Sequence, residues 1–207
     1  SEDDLKRNDM YRANAQRAKA QSRFADYHDY LLSLEMTAEI GDFSPLYLQR
    51  ITQLTNKSNQ FNLTTKRYTA EQMEAVYNSD EYIRLYGKLY DKFGDNGVVA
   101  VTIGKTDSED KGRLDIELWL MSCRVLKRDM ELAMLDSLVE QAKKRGIREI
   151  YGHYYPTAKN KMVAGLYESF GFEKISQDED GNTAWRLLVE GYEDKNTVIK
   201  VKEEHYA

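Results

Sequence analysis

Hydrophobic positions in the first part of the chain recur in helical steps. Between residues 3 and 35 they fall at Leu5, Tyr11, Ala15, Phe24, Tyr27 and Leu31, with no Gly or Pro among them, which predicts a helix. GDFSP (41–45) ends it, and Ser44 followed by Pro45 opens a second helix, LYLQRITQLTNK (46–57). There Leu46, Leu48, Ile51 and Leu54 share most of one face, so residues 1–60 read as a helical prelude or linker.

The period then changes. FNLTT (61–65) reads as a strand, and Thr69 with Gln72 forms a capping box for the helix AEQMEAVYNSD. EYIRLYGKLYDKF (81–93) reads as a further helix closed by Gly94. DNG (95–97) turns into the apolar strand VVAVTIG, and KTDSEDKG leads to the longest strand, LDIELWLMSC (114–123). A helix over 129–145 ends at Gly146; IREIYGHYYP is a strand, 159–170 a helix, and FEKIS and TAWRLLVE (183–190) are strands. Residues 191–207 are a mixed-charge tail. From residue 61 the order is β-α-α-β-β-α-β-α-β-β, an α/β (α+β) mixed sheet flanked by helices.

Composition narrows the function. A net charge of −5 argues against wholesale nucleic-acid binding. No apolar run approaches the roughly 20 residues that span a bilayer, and the charged start SEDDLKRNDM does not read as a signal peptide. One cysteine, Cys123, excludes an internal disulfide, and no Cys/His cluster suggests a metal; a cytoplasmic setting is expected. Opening on Ser1, the chain reads as an excised piece.

The element order resembles that of the GNAT acyltransferases, and so do particular residues. In NKMVAGLYESFGF (160–172), Asn160 and Tyr167 followed by Gly171-Phe172 are similar to a GNAT pattern. More narrowly, NKSNQFNLTTKRYT (56–69), FGDNGVVAV (93–101), LMSCRVLKRDME (120–131) and YPTAKN (155–160) resemble the C-terminal half of FkbH-like proteins, and RNDMYRANAQR (7–17) resembles the segment before it. The resemblance implies a GNAT-like domain over 61–190, downstream of a HAD-like phosphatase domain whose D-x-D-x-[TV] motif this chain lacks. It further implies handling of an acyl, glyceryl-type thioester with an acyl carrier protein or coenzyme A, as in methoxymalonyl extender-unit synthesis. Two other readings stand beside it: a GNAT-like module that has lost catalysis and docks a carrier protein, and a stand-alone N-acetyltransferase of small amines.

The resemblance also implies roles. The turn after the long strand, with Arg124, Val125, Lys127, Arg128, Asp129 and Met130, would hold the donor phosphates on the amides of the following helix. Asp129 and Glu131 stand where the family pattern places glycines, and two carboxylates there oppose an anion. Asn160 would bond pantetheine amides, or cap its helix. Tyr167 would be the general acid for the leaving thiolate, or an aromatic on a core-facing stripe. Strand alternation puts Asp115, Glu117, Trp119, Met121 and Cys123 on one face; Glu117 is favoured over Asp115 as general base, with His153 an alternative. Cys123 would carry an acyl group, contact the donor sulfur, or be a small buried hydrophobe. Asn59, Gln60 and Asn62 would satisfy backbone groups where prelude meets sheet, or line a site for a hydroxylated acyl chain. Arg124, Lys127, Arg128, Lys159 and Lys161 would form a docking patch for an acidic carrier protein.

Overall fold

The computed structural model describes residues 1–203. The chain begins with α1 (Glu2–Gln21), capped by a Ser1–Asp4 capping box, and α2 (Tyr27–Ser33), capped by Asp26. β1 (Met36–Gly41), α3 (Pro45–Lys57) and α4 (Ala70–Tyr77) follow, the last with the expected Thr69–Gln72 box. Next come the antiparallel strands β2 (Tyr82–Asp91), β3 (Gly94–Thr106) and β4 (Arg113–Met121). A 3₁₀ turn over Cys123–Val125 leads into α5 (Met130–Lys144) and β5 (Glu149–Tyr154). A second 3₁₀ turn at Lys161–Val163, α6 (Leu166–Ser169), β6 (Glu173–Gln177), β7 (Thr183–Leu188) and β8 (Ile199–Glu203) complete the order. Among the described residues the strands form one eight-stranded sheet, β6-β7-β5-β4-β3-β2-β1-β8.

Two apolar layers sandwich it. Met36, Ala38, Ile40, Ile83, Leu85 and Leu89 point to the face covered by α1, α2, α5 and α6. Tyr86, Val101, Ile103, Leu118 and Leu120 point to the face covered by α3 and α4. Gly87 lets β2 lie close under α5, since a Cβ there would stand 2.5 Å from the Met130 methyl. Removing this much apolar surface from water is the main driving force for the fold.

Several expected elements are corrected. The helix expected over 81–93 is instead the strand Tyr82–Asp91: Ile83, Leu85 and Leu89 alternate with Tyr82, Arg84 and Tyr86, a period of two that burial on both faces disguises. Gly94 accordingly opens β3 instead of closing a helix. The helix expected over 3–35 breaks at Ser22–Asp26, and Met36–Gly41, part of the expected prelude, is a strand paired with β2 and β8. The boundary at residue 60 therefore cuts through the sheet domain. FNLTT makes only an isolated bridge, Asn62 to Leu120. The helix at 159–170 is reduced to a 3₁₀ turn and a single short α6. The tail contributes β8, and Asp136 fastens it through the amides of Lys195 and Asn196 and the Tyr192 hydroxyl. No helix among the described residues is long and apolar enough to cross a membrane.

One further correction concerns β4. Ile103 faces Leu118 and Gly104 faces Ile116, so Glu117 is an extra residue with no partner on β3. This bulge shifts the alternation by one. Leu114, Ile116, Trp119 and Met121 join the layer under α5, whereas Leu118 and Leu120 join the opposite one. Asp115 thus does not share its face with Trp119 and Met121.

Candidate functional site

β4 and β5 run parallel but pair only at Arg113–Glu149, Leu114–Ile150 and Asp115–Tyr151. Beyond Asp115 they part. At the point of parting, His153 Nε2 lies 2.7 Å from Asp115 Oδ1, and Arg113 grips the same carboxylate at 2.9 and 3.0 Å. The Arg113 guanidinium lies 3.7 Å over the Tyr151 ring. Burial pushes the Asp115 carboxyl upward, but the hydrogen bonds from His153 and Arg113 outweigh it and hold the group below its ordinary value. The carboxylate therefore stays charged and orients the imidazole, the arrangement of a general base. Glu117, favoured from sequence, instead forms a half-exposed ion pair with Lys66 at 3.1 Å. The parallel pairing that joins Asp115 to His153 is a tertiary fact, and no local signal announced it.

The wedge between the diverging strands is filled by the chain itself. Phe61, Asn62, Leu63 and Thr64 are all buried. Leu63 N–H donates to Trp119 O (3.1 Å), Met121 N–H to Phe61 O (3.0 Å), and Tyr155 N–H to Leu63 O (2.9 Å). Thr64 Oγ1 donates to Glu117 O at 2.7 Å. Asn160, with no exposed surface, donates to Asn62 O (2.9 Å) and Tyr155 O (3.0 Å) and accepts from Thr157 N–H (2.7 Å). Asn160 stands at the N-cap of the 3₁₀ turn without a side-chain capping bond, and its amide is engaged by the chain itself. Of the three amides singled out, Asn62 takes the structural role, donating to Ser58 O and accepting from Thr65 N–H. Tyr167 is sealed beneath β5, where a Cβ on Gly152 would lie 2.5 Å from its ring. Its hydroxyl sits close to the His153 backbone without a well-formed hydrogen bond, and burial drives its titration far above the ordinary tyrosine range. In this arrangement it is a core aromatic, packed on Trp119 and Phe172.

The turn before α5 is also closed. Lys127 and Asp129 adopt left-handed backbone, with φ of 64° and 66°. The Tyr27 hydroxyl of α2 donates to Lys127 O. Arg128 turns inward, 8% exposed, bonding Arg124 O at 2.9 Å and facing Asp91 at 3.7 Å. Asp91 is itself gripped by Arg17 of α1 at 2.7 and 2.9 Å. Burial, then Arg17, pulls Arg128 below its ordinary value. Burial likewise raises Asp129, against the pull of His28, and raises Glu131, whose Oε2 has no partner among the described residues. Val125 and Met130 have no exposed surface. Arg128 therefore leaves the expected docking patch. Arg124 and Lys127 after β4, and Lys159 and Lys161 after β5, stay accessible at one end of the sheet. Cys123 is exposed there, not a buried hydrophobe. It lies eight positions beyond Asp115, six of them along β4, which puts it on the order of 20–25 Å from the Asp115–His153 pair at about 3.3 Å per strand residue. Asp91, Arg17 and Tyr27, which close the turn, were not visible as site residues in the sequence.

In this closed arrangement two regions that the family resemblance would give to the donor are occupied by the chain itself. Two carboxylates and an inward arginine line the turn the donor's phosphates would meet, and the β4 edge its amides would pair with is taken.

No family model matches the chain, and no curated protein matches it. Solved structures do resemble it. The ribosomal-protein-S18-alanine N-acetyltransferase of Escherichia coli superposes with a TM-score of 0.55 at 14% identity, over 78% of this chain and 99% of that one. The GNAT-family acetyltransferase of Streptococcus pneumoniae gives 0.55 at 18%, over 73% and 99%. The yncA structure of Salmonella typhimurium, determined with its cofactor acetyl-CoA, gives 0.55 at 14%, over 76% and 96%. The fold is that of the GNAT acetyltransferases.

Proposed function

We propose that this chain is the GNAT-fold acyltransferase domain of an FkbH-like protein, acting on an acyl, glyceryl-type thioester presented by an acyl carrier protein. The observation that carries the reading is the 2.7 Å contact between His153 Nε2 and Asp115 at the root of the β4–β5 wedge. A histidine so oriented takes the proton of an attacking hydroxyl or thiol. The likeness to acetyltransferase structures and the Asn160/Tyr167/Gly171-Phe172 pattern support the same class. Arg124, Lys127, Lys159 and Lys161 supply a positive rim for an acidic carrier. Asp129 and Glu131 in the turn before α5 oppose the additional phosphates of free coenzyme A, which favours a carrier-borne arm as donor or acceptor.

The test is acyl transfer to or from a phosphopantetheinylated carrier protein, followed by intact mass. Turnover should fall at least about 100-fold in His153→Ala, with folding intact by circular dichroism. Equal turnover in the variant removes His153 from the chemistry. A second reading, a docking module without catalysis, is favoured by the filled wedge. It predicts carrier binding with no transfer from any thioester, including acetyl-coenzyme A with small amines.

A further inference from the structure

The geometry points to residues Phe61–Thr64 as a displaceable internal strand that gates the wedge: an amide-bearing thioester arm reaches the β4 edge only by pushing them out. This rests on the reading of the wedge as a thioester site.

Four polar groups border the wedge once β4 and β5 part: Glu117 O, Trp119 O, the Met121 N–H and the Tyr155 N–H. Residues 61–64 satisfy every one of them, at 2.7, 3.1, 3.0 and 2.9 Å. An exposed strand edge with such groups accepts any extended chain carrying amides at peptide-like spacing, and a phosphopantetheine arm carries two amides. The occupant is not a regular strand. It makes an isolated bridge only and ends on Thr65, a β-branched residue at φ 53°. Its surroundings are polar for a protein interior: Asn62 and Asn160 have no exposed surface. Asn160 Nδ2, released from Asn62 O, would meet an arriving amide carbonyl.

Beside the segment, two further groups are left over. Trp119 Nε1 has no hydrogen-bond partner among the described residues, and the Tyr167 hydroxyl, its ring 6.3 Å away, has only the poorly formed contact with the His153 backbone. Expelling the segment uncovers Phe61 and Leu63, which keeps the closed form dominant without a partner. Binding therefore carries the cost of populating a minor open form, and free coenzyme A, lacking the contacts of a docked carrier, binds worse than the loaded carrier.

The experiment is amide hydrogen exchange on the whole chain, read at single residues, with phosphopantetheinylated carrier protein as probe and calorimetry to establish saturation. The Leu63 amide should lose protection at least tenfold on binding, while Met121, re-paired by the arm, stays protected. Thr64→Val, which removes the hydroxyl's bond to Glu117 O and so weakens the closed form without changing a residue of β4 or His153, should bind the probe at least fivefold tighter. A bound probe with Leu63 still protected overturns the gate, as does failure of both the natural chain and Thr64→Val to bind. Leu63 deprotection without acyl transfer defeats the catalytic reading and leaves the gate standing. Acyl transfer with Leu63 protected does the reverse.

Discussion

Asn160 and Asn62, 98 positions apart, are joined by a 2.9 Å hydrogen bond from Asn160 Nδ2 to the Asn62 carbonyl, in an interior where neither is exposed. The asparagine of the acyltransferase-like pattern is thus spent on fastening the chain across its own wedge. Asn160→Ala should cost about 2 kcal/mol, because it strands the buried Asn62 carbonyl and removes the part-buried bonds to the Tyr155 carbonyl and the Thr157 amide. Urea unfolding measures this; a loss under about 1 kcal/mol would mean that water replaces the side chain.

Glu131 gives a pH dependence with a defined sign. Burial raises its folded-state titration above the unfolded value. The unfolded chain then loses this proton first as pH rises, so Glu131 costs stability above the unfolded carboxylate range, about pH 4.3. Glu131→Gln should therefore stabilise the protein at pH 7, with the gain fading toward pH 4. Thermal unfolding across that range reads the effect, and a gain independent of pH would rule out the titration.

Tyr167 and Gly152 test the seal beneath β5. Tyr167→Phe removes a buried hydroxyl without a well-formed hydrogen bond and should leave stability equal or raise it by about 1 kcal/mol. Gly152→Ala drives a methyl into the Tyr167 ring and should cost about 3 kcal/mol. Reversing that order in denaturant titrations would show that the ring is free to move.

The buried charges linking α1 to the α5 turn predict a larger effect. The Asp91 side chain has no exposed surface and holds Arg17 and Arg128. Asp91→Ala leaves two guanidiniums uncompensated and should cost about 3–5 kcal/mol, with α1 becoming sensitive to limited proteolysis before the sheet unfolds.

Cys123 separates two candidate centres. It is exposed, so a thiol reagent should label it in the native protein. Because it lies far along β4 from Asp115, Cys123→Ser should leave His153-dependent turnover within about twofold, a change under 0.5 kcal/mol in the barrier. A large loss would place the acyl group on the cysteine.

The sequence by itself determined the elements whose signals are local. Pro45 after Ser44, the Thr69–Gln72 box, the Gly146 stop and the apolar runs of β3 and β4 all act within a few residues, and each element formed where those signals lie. The resemblance in 160–172 led to the right fold. Tertiary structure alone decided the rest. Residues 82–91 became a strand because neighbours on both sides and a helix above buried both faces, a context no window of sequence contains. The unpaired Glu117 shifted the faces of β4, since a bulge exists only relative to the partner strand. The segment 61–64 fills the wedge because unpaired edge groups must find partners, and the nearest were on a loop read as a strand. Hydrogen bonds between distant positions, such as His153 to Asp115 and Asn160 to Asn62, leave no periodic trace along the chain.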